Sequence, residues 1–298
     1  MYQQIDSNKR RTWLLIFIFV VFVLFLGWIL GQWQGTGYGG LILAGIIALI
    51  MTLISYYKGD SIALGIAGAK PIAKKDNPYV YRMVENLCIT AGLPLPKVYI
   101  IEDGAMNAFA TGRDPEHASV ALTRGIIEKL ENEELEGVIA HELSHVKNYD
   151  IRLMTVVVVL VGTVAMVTHI FWRTRFLRGG RRRGGGQAGA IIAIVGILAL
   201  ILSPIVANLI KFAVSRRREY LADASGALLT RYPDGLASAL EKLAQQDRPL
   251  RKASPATAHL YITNPFGGVT KGVTNLFQTH PPVQERVKKL RAMTGHAA

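Results

Sequence analysis

The chain has 298 residues, half of them hydrophobic, and a formal net charge of +13. That apolar weight, with a mean hydropathy of +0.27, argues against a purely soluble protein; the single cysteine, Cys88, rules out an intramolecular disulfide and fits a reducing compartment. The surplus of basic residues does not point to nucleic acid: many flank apolar blocks, as at Lys9, Arg10, Arg11, Lys58, Arg152, Lys211 and Arg216 to Arg218, the pattern of segments held at an anionic membrane face, and neither aromatic-basic interleaving nor zinc-finger spacing is present.

Four apolar blocks run from Trp13 to Leu30, Leu41 to Tyr57, Met154 to Trp172 and Ala188 to Val214. The first and third are about long enough for a hydrocarbon core of ~30 Å, the second is marginal and the fourth longer than needed. Trp13, Trp28, Trp33 and Trp172 lie at or near block ends, where amphipathic rings favour the interface. The first block has the basic start of a signal peptide. However, it is too long, and only GQWQGTGYGG follows it, without an Ala-x-Ala-like site, so a retained anchor is expected. Residues 13–57 then read as a membrane hairpin.

From Lys58 the chain becomes globular. In DNPYVYRMVENLCITAGL, Asn77 reads as an N-cap and Pro78 as the first helical residue. KVYIIED and SVALTRG are short β-branched segments and read as strands, with MNAFATGRDPEH between them as an edge strand ending in a turn. Asn132 precedes Glu133, Glu134 and Glu136, acids in the first turn of the next helix. After the third and fourth blocks, joined by the acid-free linker RTRFLRGGRRRGGGQ, residues 215–298 are again polar and mostly helical in pattern. The reading is an α+β membrane protein: a hairpin at 1–57, a first catalytic part at 58–150, a second membrane hairpin at 151–214, and a second catalytic part at 215–298.

The helix opened by Asn132 carries HELSHVKNYD. Four helical residues advance a side chain by about 400°, so His141 and His145 share a face. Two imidazoles at that spacing suit one zinc ion at about 2.0–2.1 Å from each nitrogen, and Glu142 beside them suits a general base acting on an activated water. The motif is short enough to arise on a surface helix by accident. A catalytic zinc needs a third ligand, and SRRREYLADASG offers Glu219, with Asp223 one turn on to hold an imidazole by its other N–H.

HELSHVKNYD and SRRREYLAD, separated by two apolar segments, resemble the HtpX-type membrane zinc metalloproteases, relatives of the CAAX prenyl endopeptidase. The amino-terminal hairpin, MNAFATG and THPPVQERV resemble family segments in the same order. The resemblance implies one zinc ion per chain held by His141, His145 and Glu219, with Glu142 as catalytic acid/base. It also implies substrate backbone pairing at Asn107 and Ala108, and His280 and Arg286 near the cleft. It further implies quality control, under stress, of misfolded or damaged membrane proteins in the bilayer of the cell membrane. A silent adaptor with a retained zinc site and an intramembrane-cleaving protease are the competing readings. Retention of Glu142 speaks against the first, and the charge around the motif against the second.

The remaining candidates are bland. His169 reads as a bundle-facing or interfacial residue, His117, His259 and His296 show no partner pattern, and Cys88 reads as a small core residue. Asp150 is either a helix-end residue or a carboxylate supporting the site. If the zinc helix ran unbroken, His145 would lie roughly 13–14 Å along the axis from Met154, so the site would sit in water near the membrane face. The basic flanks favour a multi-pass protein with a cytoplasmic active site. The arginines of residues 173–183 oppose the positive-inside tendency if both later segments span.

Overall fold

The computed structural model describes residues 2–33, 35–162, 215–267 and 281–294. Most of the segment read as a second membrane hairpin, with its Arg-rich linker, His169 and Trp172, lies outside them, as do His280 and His296.

Two long helices, α1 (Tyr2–Trp33) and α2 (Tyr38–Ala67), form an antiparallel hairpin. Both are long and apolar enough to cross a membrane. Their apolar side chains point outward, with Trp13, Phe17, Ile42, Leu43 and Leu49 all more than half exposed. A soluble core helix would bury these residues; a helix in lipid would present them. The seam between the helices is made of small residues: a Cβ on Gly40 would lie 2.4 Å from the Gly27 carbonyl oxygen, and Ala44 and Ala48 are buried. Close backbone approach is how helices gain packing energy where lipid offers no hydrophobic drive. Helix α2 continues past residue 58, so Ala63, Leu64 and Ala67 enter a core shared with Phe109, Met154, Val158 and Tyr261.

The sheet has the order β1–β2–β4–β3, with β1 (Ala69–Pro71), β2 (Lys97–Ile101), β3 (Ala108–Gly112) and β4 (Ala118–Thr123). Strands β2 and β4 pair in parallel, and β3 runs antiparallel to β4 on the outer edge, Ala108 opposite Leu122. The expected strands and the edge position of the third are observed; β1, a three-residue strand against β2, was too short to carry a sequence pattern. Helix α3 (Pro78–Ala91) starts as read, with the Asn77 side chain accepting from the Val80 N–H.

A short α4 (Arg124–Lys129) leads into α5 (Asn132–Lys147). The cap of α5 is Glu131 rather than Asn132. The Glu134 carboxylate folds back onto the Glu131 N–H at 2.8 Å and also receives Lys242 at 2.7 Å, fixing the helix start one residue earlier. At its other end α5 does not run on unbroken. It stops at Lys147, Tyr149 takes a positive φ of 60°, and a new helix, α6, covers the described residues 150–162. Helices α7 (Arg216–Thr230), α8 (Pro233–Gln245) and α9 (Val283–Met293) complete the described elements. The main core lies between the sheet and α3, α5, α7 and α8, with Leu135, Val138, Ile139, Leu143, Leu236 and Leu240 fully buried.

Candidate metal centre

Helix α5 brings His141 and His145 to one face, and α7 lays Glu219 against them. The close crossing depends on Gly226, where a Cβ would stand only 3.0 Å from the His141 backbone nitrogen. The two Nε2 atoms are 3.2 Å apart. Glu219 Oε1 is 3.6 Å from Nε2 of His145, and Oε2 is 3.8 Å from Nε2 of His141. All three residues are buried. Tetrahedral ligands at zinc–ligand distances of 2.0–2.2 Å stand about 3.3–3.6 Å from one another, so this two-imidazole, one-carboxylate cluster fits a zinc ion after a shift of a few tenths of an ångström.

Both outward ring nitrogens face carboxylates. Asp150 Oδ2 lies 3.1 Å from Nδ1 of His145, and Asp223 Oδ1 lies 3.0 Å from Nδ1 of His141, though off the N–H axis. With both Nδ1 atoms turned to carboxylates, both Nε2 atoms face the space shared with Glu219, the tautomer that metal ligation needs. Asp150, whose role the sequence left open, is therefore a site-supporting carboxylate. The break in α5 is what delivers it: the left-handed Tyr149 turns the chain back beneath His145.

Charge sets the proton affinities of the cluster. Burial pushes the Glu142 carboxyl up to about 7. Burial would lower the His145 imidazolium, but the Asp150 hydrogen bond and the charges of Glu219, Asp150 and Glu142 push it up to about 9. Burial keeps His141 below its ordinary value against the opposing pull of Asp223. Asp223, despite its own burial, is drawn down to about 2 by Arg286 and His141. Arg286 is only 1% exposed and clamps Asp223 with two bonds, Nε to Oδ2 at 2.8 Å and Nη2 to Oδ1 at 2.6 Å. It thus holds the partner of His141 in place from a buried position.

The Ala110 backbone of β3 is among the groups that favour the ionised form of Glu142, which sets this strand beside the cluster. Two positions earlier the Ala108 carbonyl accepts from the Ile262 N–H at 3.0 Å. The Asn107 side chain donates to the Thr263 carbonyl at 3.0 Å. The segment around Ile262 thus pairs with the edge at the two residues read as substrate-pairing. His259 Nε2 donates to the Met154 carbonyl oxygen at 3.0 Å and ties this segment to α6. His117 is half-exposed and pairs with Asp114, remote in chemistry from the cluster.

Two further residues at the site were invisible in the sequence, Asn8 of α1 and Arg218 of α7. Asn8 donates to Asp150 and accepts from Arg218. Residues 8, 150 and 218 lie in three distant segments, and no local pattern shows that they meet.

Comparison with known proteins gives the context of this geometry. The model of "Peptidase family M48" matches residues 74–294. A protease HtpX homolog of Dictyoglomus turgidum is 44% identical over 292 residues, covering 98% of this chain and 94% of that protein. One from Tropheryma whipplei strain TW08/27 is 47% identical over 294 residues, covering 98% of each. The crystal structure of S. mikatae Ste24p superposes with a TM-score of 0.50 over 97% of this chain and 67% of that one, at 17% identity, a likeness of fold.

Proposed function

The chain belongs to peptidase family M48, and from that premise we propose that it is a membrane-bound zinc endopeptidase that cleaves misfolded or damaged membrane proteins. The observation that carries this reading is the convergence of three buried ligand-type residues, His141, His145 and Glu219, with Glu142 next to His141 on the same buried helix. One zinc ion per chain would be held by the three ligands; when bound it supplies a Lewis acid that polarises a scissile carbonyl and activates water. Glu142, with its carboxyl raised to about 7, accepts a proton from the attacking water and returns it to the leaving amine. Asp150 and Asp223 keep the two imidazoles in one tautomer and orientation.

A peptide substrate, extended along the outer edge of β3, would add a strand to the sheet. Its backbone would exchange with the Ile262 contact at Ala108, while the Asn107 carboxamide remains a side-chain partner. The placement of the site supports membrane-protein substrates. Trp13 stacks on Tyr56 at 6.3 Å, Lys9 lies over Tyr149 at 4.6 Å, and Arg152 lies over both Tyr56 and Tyr149. Aromatic and basic side chains of this kind collect where lipid meets water, and Tyr149 is four residues from His145. The basic flanks of the hairpin support a catalytic part on the cytoplasmic face of a multi-pass protein of the cell membrane.

The test is Glu142→Gln in purified, detergent-solubilised protein, assayed for zinc content and for hydrolysis of an unfolded polypeptide. Zinc should stay at one per chain while turnover falls by about 10²–10⁴-fold. Near wild-type turnover would remove Glu142 from its role, and wild-type protein without bound zinc would remove the metal reading.

A further inference from the structure

Helix α1 is apolar over most of its length, yet its inward stripe begins with two polar residues. Asn8 and Thr12 are each 2% exposed, one turn apart, and Leu15 and Ile16 continue the same face against Leu153, Val156, Val157 and Leu160 of α6. A buried carboxamide costs free energy unless its donors and acceptor are used. Those of Asn8 are all used. Its Nδ2 donates to Asp150 Oδ1 at 2.7 Å and to the Asn148 carbonyl at 2.9 Å. Its Oδ1 accepts from Arg218 Nη1 at 3.1 Å.

Each of these partners is one step from a metal ligand. Asp150 bonds His145 through its other oxygen. Asn148 belongs to the turn that brings Asp150 back beneath His145. Arg218 precedes Glu219 in α7 and also stands 3.5 Å from Asp150. One side chain on the first helix therefore joins the turn after α5 to the start of α7, the two pieces of chain that must meet for three ligands to converge.

We propose that Asn8 is a positioning residue of the metal centre, fixing Asp150 against His145 and Arg218 beside Glu219. The amino-terminal hairpin is then more than an anchor: its first helix completes the support of the site. The inference rests on the metal reading given above. Physically, an Asp150 carboxylate bonded on one oxygen only can rotate, and the imidazole it orients loses its fixed direction. Loss of such outer hydrogen bonds typically costs 10–100-fold in metal affinity.

The experiment uses the full chain in detergent and chelator-buffered zinc. The proteins are wild type, Asn8→Ala, the isosteric Asn8→Asp, which keeps the acceptor for Arg218 but loses the donor to Asp150, and Asp150→Ala with and without Asn8→Ala. Thr12→Val is the control, since among the described residues its hydroxyl bonds the Asn8 backbone carbonyl, at 2.9 Å, and no side chain of the site. Zinc affinity is measured by competition, and the visible spectrum of the cobalt-loaded protein reports ligand geometry. Asn8→Ala and Asn8→Asp should each weaken zinc by about 10–100-fold and alter the cobalt bands, while Thr12→Val leaves both unchanged. In the Asp150→Ala background, Asn8→Ala should cost less than about threefold, because the residue it acts through is gone. Unchanged affinity and spectrum in Asn8→Asp, or a full multiplicative loss in the double variant, would overturn the proposal. Absence of zinc binding by wild type would instead strike the metal reading itself.

Discussion

Gly226→Ala is a sharp test of how the third ligand reaches the site. Gly226 lies seven residues after Glu219 on α7, which in a helix is nearly the same face, and it rests on the backbone of α5. An added methyl carbon would stand 3.0 Å from the His141 nitrogen, 3.2 Å from its Cα and 3.3 Å from the Ala140 carbonyl carbon. Ordinary contact begins at 3.4 Å, so α7 must retreat by about 0.4 Å or more. Glu219 already stands 3.6 and 3.8 Å from the two Nε2 atoms, so a retreat of α7 opposes the small closing shift that zinc ligation needs. Two effects oppose one another in stability. Alanine favours a helix interior over glycine by about 1 kcal/mol, whereas overpacking against rigid backbone costs about 1–3 kcal/mol. The net expectation is a loss of up to about 2 kcal/mol, with zinc affinity reduced by about tenfold or more. Thermal unfolding of metal-free protein in detergent and zinc competition together provide the assay. A more stable variant with unchanged zinc affinity would refute the argument, because it would mean that the helix crossing has slack.

Glu219→Ala should strip zinc from the protein, since two imidazoles alone form a weak site; Asp223→Ala should weaken it by about 10–100-fold, and zinc titration ranks the two. Zinc affinity should rise with pH between 6 and 8.5, by up to about tenfold per unit, because the His145 imidazolium, held up to about 9 in the metal-free cluster, must lose its proton to bind. A flat profile would contradict that protonation state. A cysteine at exposed Glu128, in a Cys88→Ser background, should resist an impermeant thiol reagent in intact cells and react after lysis. Labelling before lysis would place the catalytic part outside.

The candidate ligands were legible because the spacing of His141 and His145 is a property of the helix itself, and Glu142 falls beside them by the same rule. Glu219 and Asp223 could be read for the same reason: both sit on one short helix, one turn apart. The two amino-terminal helices and the strands of the sheet likewise follow from patterns contained within single segments. What the sequence did not contain is how separate segments meet. The break after Lys147 depends on a left-handed Tyr149, a conformation that tyrosine does not advertise. Without it Asp150 would continue up the helix, away from His145. The approach of α7 to α5 is set by contact at Gly226, and the support of Asp150 by a carboxamide 142 residues away. Arg286 was read as lying near the site, but its bidentate grip on Asp223 was not contained in the sequence. These are distances between elements, and only packing fixes them. Local periodicity determined which residues have the chemistry; the tertiary structure decided which neighbours hold them at bonding distance, because a buried polar group takes whichever partner the fold brings to it.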